Sequence, residues 1–415
     1  MTLAGRITEL RENFTRDFWT ANTLELFERL AFYGTKAVLT VFLATRAGLP
    51  DEAGTLAGLF SGVIYTLPIV AGVLVDRYGF RKTLMACFAI FSVGYFLIGI
   101  AGMEWGQAFV DAFGRRTYVI SVLLLTAVGG SLIKPCIVGT VARTTTEKYR
   151  AQGFSIYYSL VNLGGAIGPM IALYVRQDWG IEYVLVMSSF TSFLLFIGTY
   201  FFFREPIGVI AAEEKKTFAK VFSDMLLVFR NFKFILFLII FSGFWIMFWQ
   251  IFYLLPFYAT DVLHFAQFEL LETVDAWCII FFSVLMASLF KKWKPFSAMM
   301  LGFVLASVSW LIIGVWGSTA AVVVGVALYA VGEATQAPRF YEYVGSLAPP
   351  SQVGTYMGFA FLPVAIGSYT AGPLSDVLRL GYMNTNPAMM WYILTAIGVV
   401  TTVLLYLYNM FLVKK

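Results

Sequence analysis

A single histidine and three cysteines in 415 residues leave little reactive chemistry to draw on. His264 sits in a short loop between apolar runs. Cys87, Cys136 and Cys278 all fall in apolar stretches without metal-site spacing, so they read as small buried hydrophobes. No disulfide framework, metal site or resident cofactor is expected. An enzyme built on a catalytic histidine or a nucleophile–base pair lacks its parts. Charge is scarce too: Asp, Glu, Lys and Arg make up 13% of the chain, where a soluble domain has about a quarter. The net charge of +5 is not read as a nucleic-acid footprint, because its placement along the chain has another explanation, given below. A cleavable signal is not expected either, since Arg6, Glu9, Arg11, Glu12 and Arg16 make the start too polar. Residues 1–20 instead read as an amphipathic segment on the cytoplasmic surface.

What is present is apolar surface. Hydrophobic residues make up 60% of the chain and the mean hydropathy is +0.79. That combination reads as an all-α integral membrane protein. Apolar runs long enough to span a bilayer fall near 21–47, 54–76, 82–103, 117–142, 152–175, 182–203, 233–260, 268–290, 296–316, 319–346, 352–377 and 388–412. With the N-terminus inside, twenty of the 29 basic residues lie in cytoplasmic segments and five in outer loops. Four lie within spans: Arg29, Lys36, Lys134 and Arg339. This asymmetry obeys the positive-inside rule and places both termini in the cytoplasm. The charged stretch 204–232 reads as a cytoplasmic linker between two six-helix bundles, 21–203 and 233–415.

The first span carries costly charges. In "ELFERLAFYGTK" (25–36), Glu25, Glu28, Arg29 and Lys36 fall within about 100° of one another around a helix. Glu25 and Arg29 have the i, i+4 spacing of an ion pair. Charges inside spans face a bundle interior or a wet cavity and mark solute or ion pathways. A purely structural latch is the alternative, but four ionisable groups along about 16 Å of helix exceed what a latch needs.

"GVLVDRYGFRK" (72–82), which holds Asp76 and Arg81, resembles the loop signature of the major facilitator superfamily. "ELFERLAFYGTKA" resembles the E-x-x-E-R-F/L-x-Y-Y-G motif of its proton-dependent oligopeptide transporter family, with Phe32 for the first tyrosine and Lys36 where arginine is commoner. "GGSLIKPCI" (129–137) resembles the family's span-four segment, with Lys134. "GFSIYYSLVNLGGAIGP" (153–169) resembles F-Y-x-x-x-N-x-G, carried by Tyr157 or Tyr158, Asn162 and Gly164. "FWIMFWQ" (244–250) resembles F-W-x-x-F-x-Q, with Trp249 where glutamate is frequent and Gln250 kept. "GEATQAPRFYEYVGSLAP" (332–349) resembles the span-ten motif, with Glu333 and Pro338 kept. "MGFAFLPVAIGSYTAG" (357–372) resembles the span-eleven segment.

The resemblance implies alternating access driven by proton entry, with no cofactor other than the driving proton. It implies that Glu25, Glu28, Arg29 and Lys134 couple the proton. It implies that Tyr33, Lys36, Lys134, Tyr158, Asn162, Trp245, Gln250 and Glu333 line the substrate site, with lysines toward a carboxylate and Glu333 toward an amine. For any one aromatic among them, core packing is the competing role. Asp76, Arg81, Arg339 and Glu342 are read as gating residues, although Arg339 and Glu342 could instead line the site. The departures in span ten and at Asp275-Ala276 leave the cargo open. The expected partners are a small zwitterionic or anionic solute and the lipid bilayer, with the chain acting as a monomer in a bacterial inner membrane. Import by proton symport is the leading reading, and proton-coupled export of drugs or metabolites is the alternative.

Overall fold

The computed structural model of the chain describes residues 13–206, 218–349 and 352–413. Among these, the regular structure is entirely helical. In chain order the helices are α1 (Arg16–Thr45), α2 (Ala53–Thr66), α3 (Pro68–Tyr78), α4 (Phe80–Ile100), α5 (Gln107–Ala112), α6 (Arg115–Ser131), α7 (Ile133–Thr144), α8 (Arg150–Asp178) and α9 (Ile181–Phe202). They continue as α10 (Phe218–Phe229), α11 (Phe232–Tyr253), α12 (Phe268–Leu289), α13 (Pro295–Trp316), α14 (Thr319–Leu347), α15 (Val353–Phe359), α16 (Leu362–Tyr382) and α17 (Pro387–Tyr408).

Ten stretches, counting α6–α7 and α15–α16 as continuous, are long and apolar enough to cross a membrane; the bent pair α2–α3 makes eleven. Helix α1 has the length but carries Glu25, Glu28, Arg29 and Lys36, and it is not among them. The count on apolarity alone therefore falls short of twelve at the helix that holds the buried charges. The expected N-terminal segment lies outside the described residues up to position 12, and Arg16–Thr20 already belong to α1. Within the expected linker, residues 207–217 lie outside the described part, and α10 is amphipathic.

Proline explains the breaks. A proline cannot donate to the carbonyl four residues back. Pro135 would address Ser131, where α6 ends, and Pro363 would address Phe359, where α15 ends. Pro68 opens α3, which bends 49° from α2. The turn from α3 to α4 is made by Gly79 at φ 86°, a conformation that favours glycine.

The polarity of the molecule is inverted relative to a soluble protein. Val284, Trp179, Phe201, Phe232 and Phe281 stand on the outside, while Glu25, Glu28, Arg29, Lys36, Glu269 and Glu272 are shut inside. Hydrocarbon outside and charge inside is the arrangement a bilayer imposes. Small residues let the backbones close up. On α1 and α8, a Cβ added at Gly164 would stand 2.4 Å from the Arg29 Cβ, and one at Gly168 would stand 2.6 Å from the Leu30 carbonyl. Glycines of the span-five motif thus seat α8 directly against the charged part of α1.

The extensive contacts between the earlier and later helices are α2 with α16 and α8 with α12. The α2–α16 seam is the tighter. A Cβ at Gly58 would lie 2.7 Å from the Ser368 carbonyl, and one at Gly372 would lie 2.5 Å from the Gly54 carbonyl. At its end, Asp376 accepts from Gly54 N at 2.8 Å, Thr55 N at 2.7 Å and the Thr55 hydroxyl at 2.8 Å. A carboxylate on α16 therefore caps the start of α2 and meets its free N–H groups. In the other contact, Arg176 of α8 pairs with Glu269 of α12 and donates to the Ala266 carbonyl at 2.7 Å.

Candidate functional site

Close contact between α8 and α1 assembles the first group of charges. Arg29 pairs with Glu28 through two N–H groups, the second at 2.7 Å, and its Nε lies 3.5 Å from Glu25. Lys134 follows the break before α7 and reaches the same cluster. Its Nζ stands 3.6 Å from Glu25 and donates to the Tyr157 hydroxyl at 2.8 Å. Tyr157 in turn donates to Glu25 at 3.3 Å. The result is one chain of contacts: Lys134, Tyr157, Glu25, Arg29, Glu28. Two acids and two bases balance in charge, which makes their burial tolerable. Glu25 keeps one oxygen without a donor among the described residues, so the network is not saturated.

Of the two tyrosines that could carry the span-five motif, Tyr157 enters this network. Tyr158 is half-exposed and lies within electrostatic reach of Glu333 and Asp275. Neighbouring residues on a helix face about 100° apart, so two adjacent tyrosines serve different groups. Asn162 donates to the Tyr158 carbonyl of its own helix at 2.8 Å.

Lys36 lies two turns along α1 from Arg29, in different surroundings. Its ammonium sits 3.5 Å from the ring centroid of Phe252, 4.2 Å from Trp249, 5.1 Å from Phe248 and 5.3 Å from Tyr33. Aromatic faces attract a cation, the more so away from water. Trp249, found where the family often has an acid, therefore still holds the basic residue of α1. Glu272, Asp275 and Glu333 lie within electrostatic reach of Lys36. Glu333 has one buried oxygen without a donor, as does Asp275, and Glu272 has two. The sequence reading singled out Glu333 and noted Asp275 only as a departure. It passed over Glu272, which sits in an acidic helix start that looks like an ordinary first turn.

The remaining residues divide. Trp245 packs its backbone against Gly367, and its indole N–H is buried without an acceptor among the described residues. Gln250 is fully buried and donates to the Ala371 carbonyl at 3.1 Å, which ties α11 to α16. Arg339 and Glu342 pair at 2.5 Å, and Arg339 also donates to the Phe290 carbonyl at 2.6 Å. Asp76 is exposed at the end of α3. Arg81 donates to the Tyr200 carbonyl, while Glu205 accepts from Phe80 N at 2.6 Å and Arg81 N at 3.0 Å. Glu205 is a contact that sequence reasoning missed, because it lies beyond the last residue of α9 and far from the motif it caps.

The sequence profile of the Major Facilitator Superfamily matches residues 24–372. A dipeptide and tripeptide permease A of Erwinia pyrifoliae is 23% identical, covering 90% of this chain and 88% of its own length. The multidrug resistance protein MdtH of Photorhabdus laumondii is also 23% identical, covering 84% of this chain and 83% of its own. A solved POT family transporter, in complex with a thioalcohol conjugated peptide, shares the fold with a TM-score of 0.79 at 16% identity, covering 95% of this chain and 96% of that one. An apolar helical shell around paired charges, the loop signature before α4 and a profile match over most of its length make this chain a multi-pass integral membrane protein of the Major Facilitator Superfamily, a divergent relative of its peptide transporters.

Proposed function

We infer that the chain is a proton-coupled symporter that imports small peptides or peptide-like organic solutes by alternating access. The observation that carries this reading is the buried network of Glu25, Glu28, Arg29 and Lys134 on one set of helices, with Glu333 and Lys36 placed beyond it toward α12 and α14. A network of two acids and two bases can take up one proton and release a cation to a new partner, which biases one conformation over the other. Twelve spans arranged as two six-helix bundles, with both ends in the cytoplasm, suit this cycle. On that count α1 and the α2–α3 pair each serve as one span, and residues 204–232 join the bundles. The names of the relatives support peptide-like cargo, and their bacterial sources support an inner-membrane location. The chain works as a monomer in this scheme, with the proton as its driving ion and no other cofactor.

The alternative is proton-coupled export, which the similarity to a multidrug resistance protein favours. A pH-jump assay on purified protein in liposomes decides between them. Uptake of a dipeptide along an inward proton gradient supports import. Efflux of a loaded solute against that gradient supports export, and neither movement refutes both.

Glu333→Gln tests the amine end of the site. The expected outcome is weaker binding of ligands with a free amine by roughly tenfold or more, the value of a hydrogen bond to a charged group. Ligands with a blocked amine lose little. Competition by free and N-acetylated dipeptides measures the difference, and equal losses would make Glu333 structural.

A further inference from the structure

Helix α12 carries an acid that the network on α1 does not use. Glu272 is 2% exposed, and neither of its carboxyl oxygens meets a donor among the described residues. Glu269, one turn earlier, is paired with Arg176. A buried carboxylate without donors is costly, and the cost is avoided when the group carries a proton. Lys36 faces it from α1 and makes no ion pair or hydrogen bond among the described residues. Its ammonium rests on Phe252, Trp249 and Phe248 of α11 and on Tyr33. An acid without a donor and a cation without an acceptor therefore lie within electrostatic reach, yet apart.

We propose that Glu272 is a second proton-binding site, and that Lys36 is the mobile counter-cation which the ionised Glu272 draws out of its aromatic cage. This rests on the proton-coupled reading above and extends it to the later helices. In the step itself one O–H bond forms on a Glu272 oxygen as one O–H bond of a hydronium ion breaks on whichever aqueous side is open, leaving a water molecule behind. With the proton on, Lys36 stays among the rings and holds α1 to α11. With the proton off, Lys36 turns to Glu272 and that hold is released. The charged groups within electrostatic reach of Glu272 are Lys36 from α1 and Glu269 from its own helix, while Asp275 of the same helix and Glu333 of α14 reach Lys36, and Arg176 of α8 pairs with Glu269. Arg176 is taken by Glu269, which leaves Lys36 as the available cation. Asp275 and Glu333 compete for it, but each has a single buried oxygen without a donor where Glu272 has two.

Infrared difference spectroscopy of the purified full chain, titrated with pH, reads the site directly. The wild type is expected to show the carbonyl band of a buried protonated carboxyl group that is absent from Glu272→Gln. Lys36→Met is expected to raise the midpoint of that band by about one pH unit, a tenfold gain in proton affinity, because the counter-cation is gone. A Glu272→Gln spectrum superimposable on the wild type overturns the site. An unmoved midpoint in Lys36→Met overturns the role of Lys36. If Glu272→Gln does not fold, Glu272→Asp must shift the band, and an unshifted band overturns the proposal. The measurement needs neither substrate nor transport. Failure of proton-driven uptake in liposomes therefore refutes the coupling reading and leaves this site standing, and the reverse also holds.

Discussion

Glu28→Gln is expected to abolish uptake driven by a proton gradient while leaving substrate counterflow near the wild-type rate. Glu28 takes two N–H groups of Arg29 and is 1% exposed. Glutamine keeps the shape and one acceptor, so the helix contact survives. It cannot gain or lose a proton, so the nearest partner of Arg29 no longer has a charge that depends on the bulk solution, and only Glu25, 3.5 Å away, still does. Proton-driven uptake then falls by roughly 100-fold, at the upper end of the coupling energies between linked sites. Counterflow requires only that the loaded carrier reorient. The assay uses liposomes preloaded with the transported dipeptide, with and without an imposed gradient. A mutant that responds to the gradient as the wild type does would remove Glu28 from coupling.

Gly58→Leu is the second large effect. The Gly58 position faces the Ser368 carbonyl and the Gly372 backbone, which cannot retreat as a side-chain tip can. Overpacking such a contact costs typically about 1–3 kcal/mol, and more where backbone meets backbone. The seam between α2 and α16 should then stay parted, and Asp376 should lose its hold on Gly54 and Thr55. The expected result is a longer distance between spin labels at Asp51 and Asn384, which are exposed at this end, with transport abolished. An unchanged distance distribution would show that the seam tolerates bulk and is not a gate.

Most of the fold was legible because its causes are local. Each expected apolar run coincides with a helix or a proline-broken pair, and an apolar stretch in lipid must satisfy its own backbone. The polar stripe on α1 was legible for the same reason, since helical periodicity alone put Glu25, Glu28 and Arg29 together. Lys134 came from the family resemblance, and its contact with Glu25 came from the structure. What could not be read was contact across chain distance. Whether Tyr157 or Tyr158 meets Glu25 depends on how α8 is rotated against α1, and glycine packing sets that rotation. The aromatic cage of Lys36 needs α11 beside α1. Sequence alone gives Asp376 no role, because its partners Gly54 and Thr55 lie more than 300 positions earlier.

The glycine seam has a consequence for leakage. Where a passage is shut by bulky side chains, one rotamer flip opens a crack wide enough for water or a proton. Gly58 and Gly372 meet only backbone across the seam, with no side chain between them to flip. Two rigid rods meeting backbone to backbone can separate only by tilting as bodies, along the whole line at once. In the proposed proton-coupled cycle this seam would act as an all-or-none shutter, and slip, the passage of protons without cargo, would have to be prevented elsewhere.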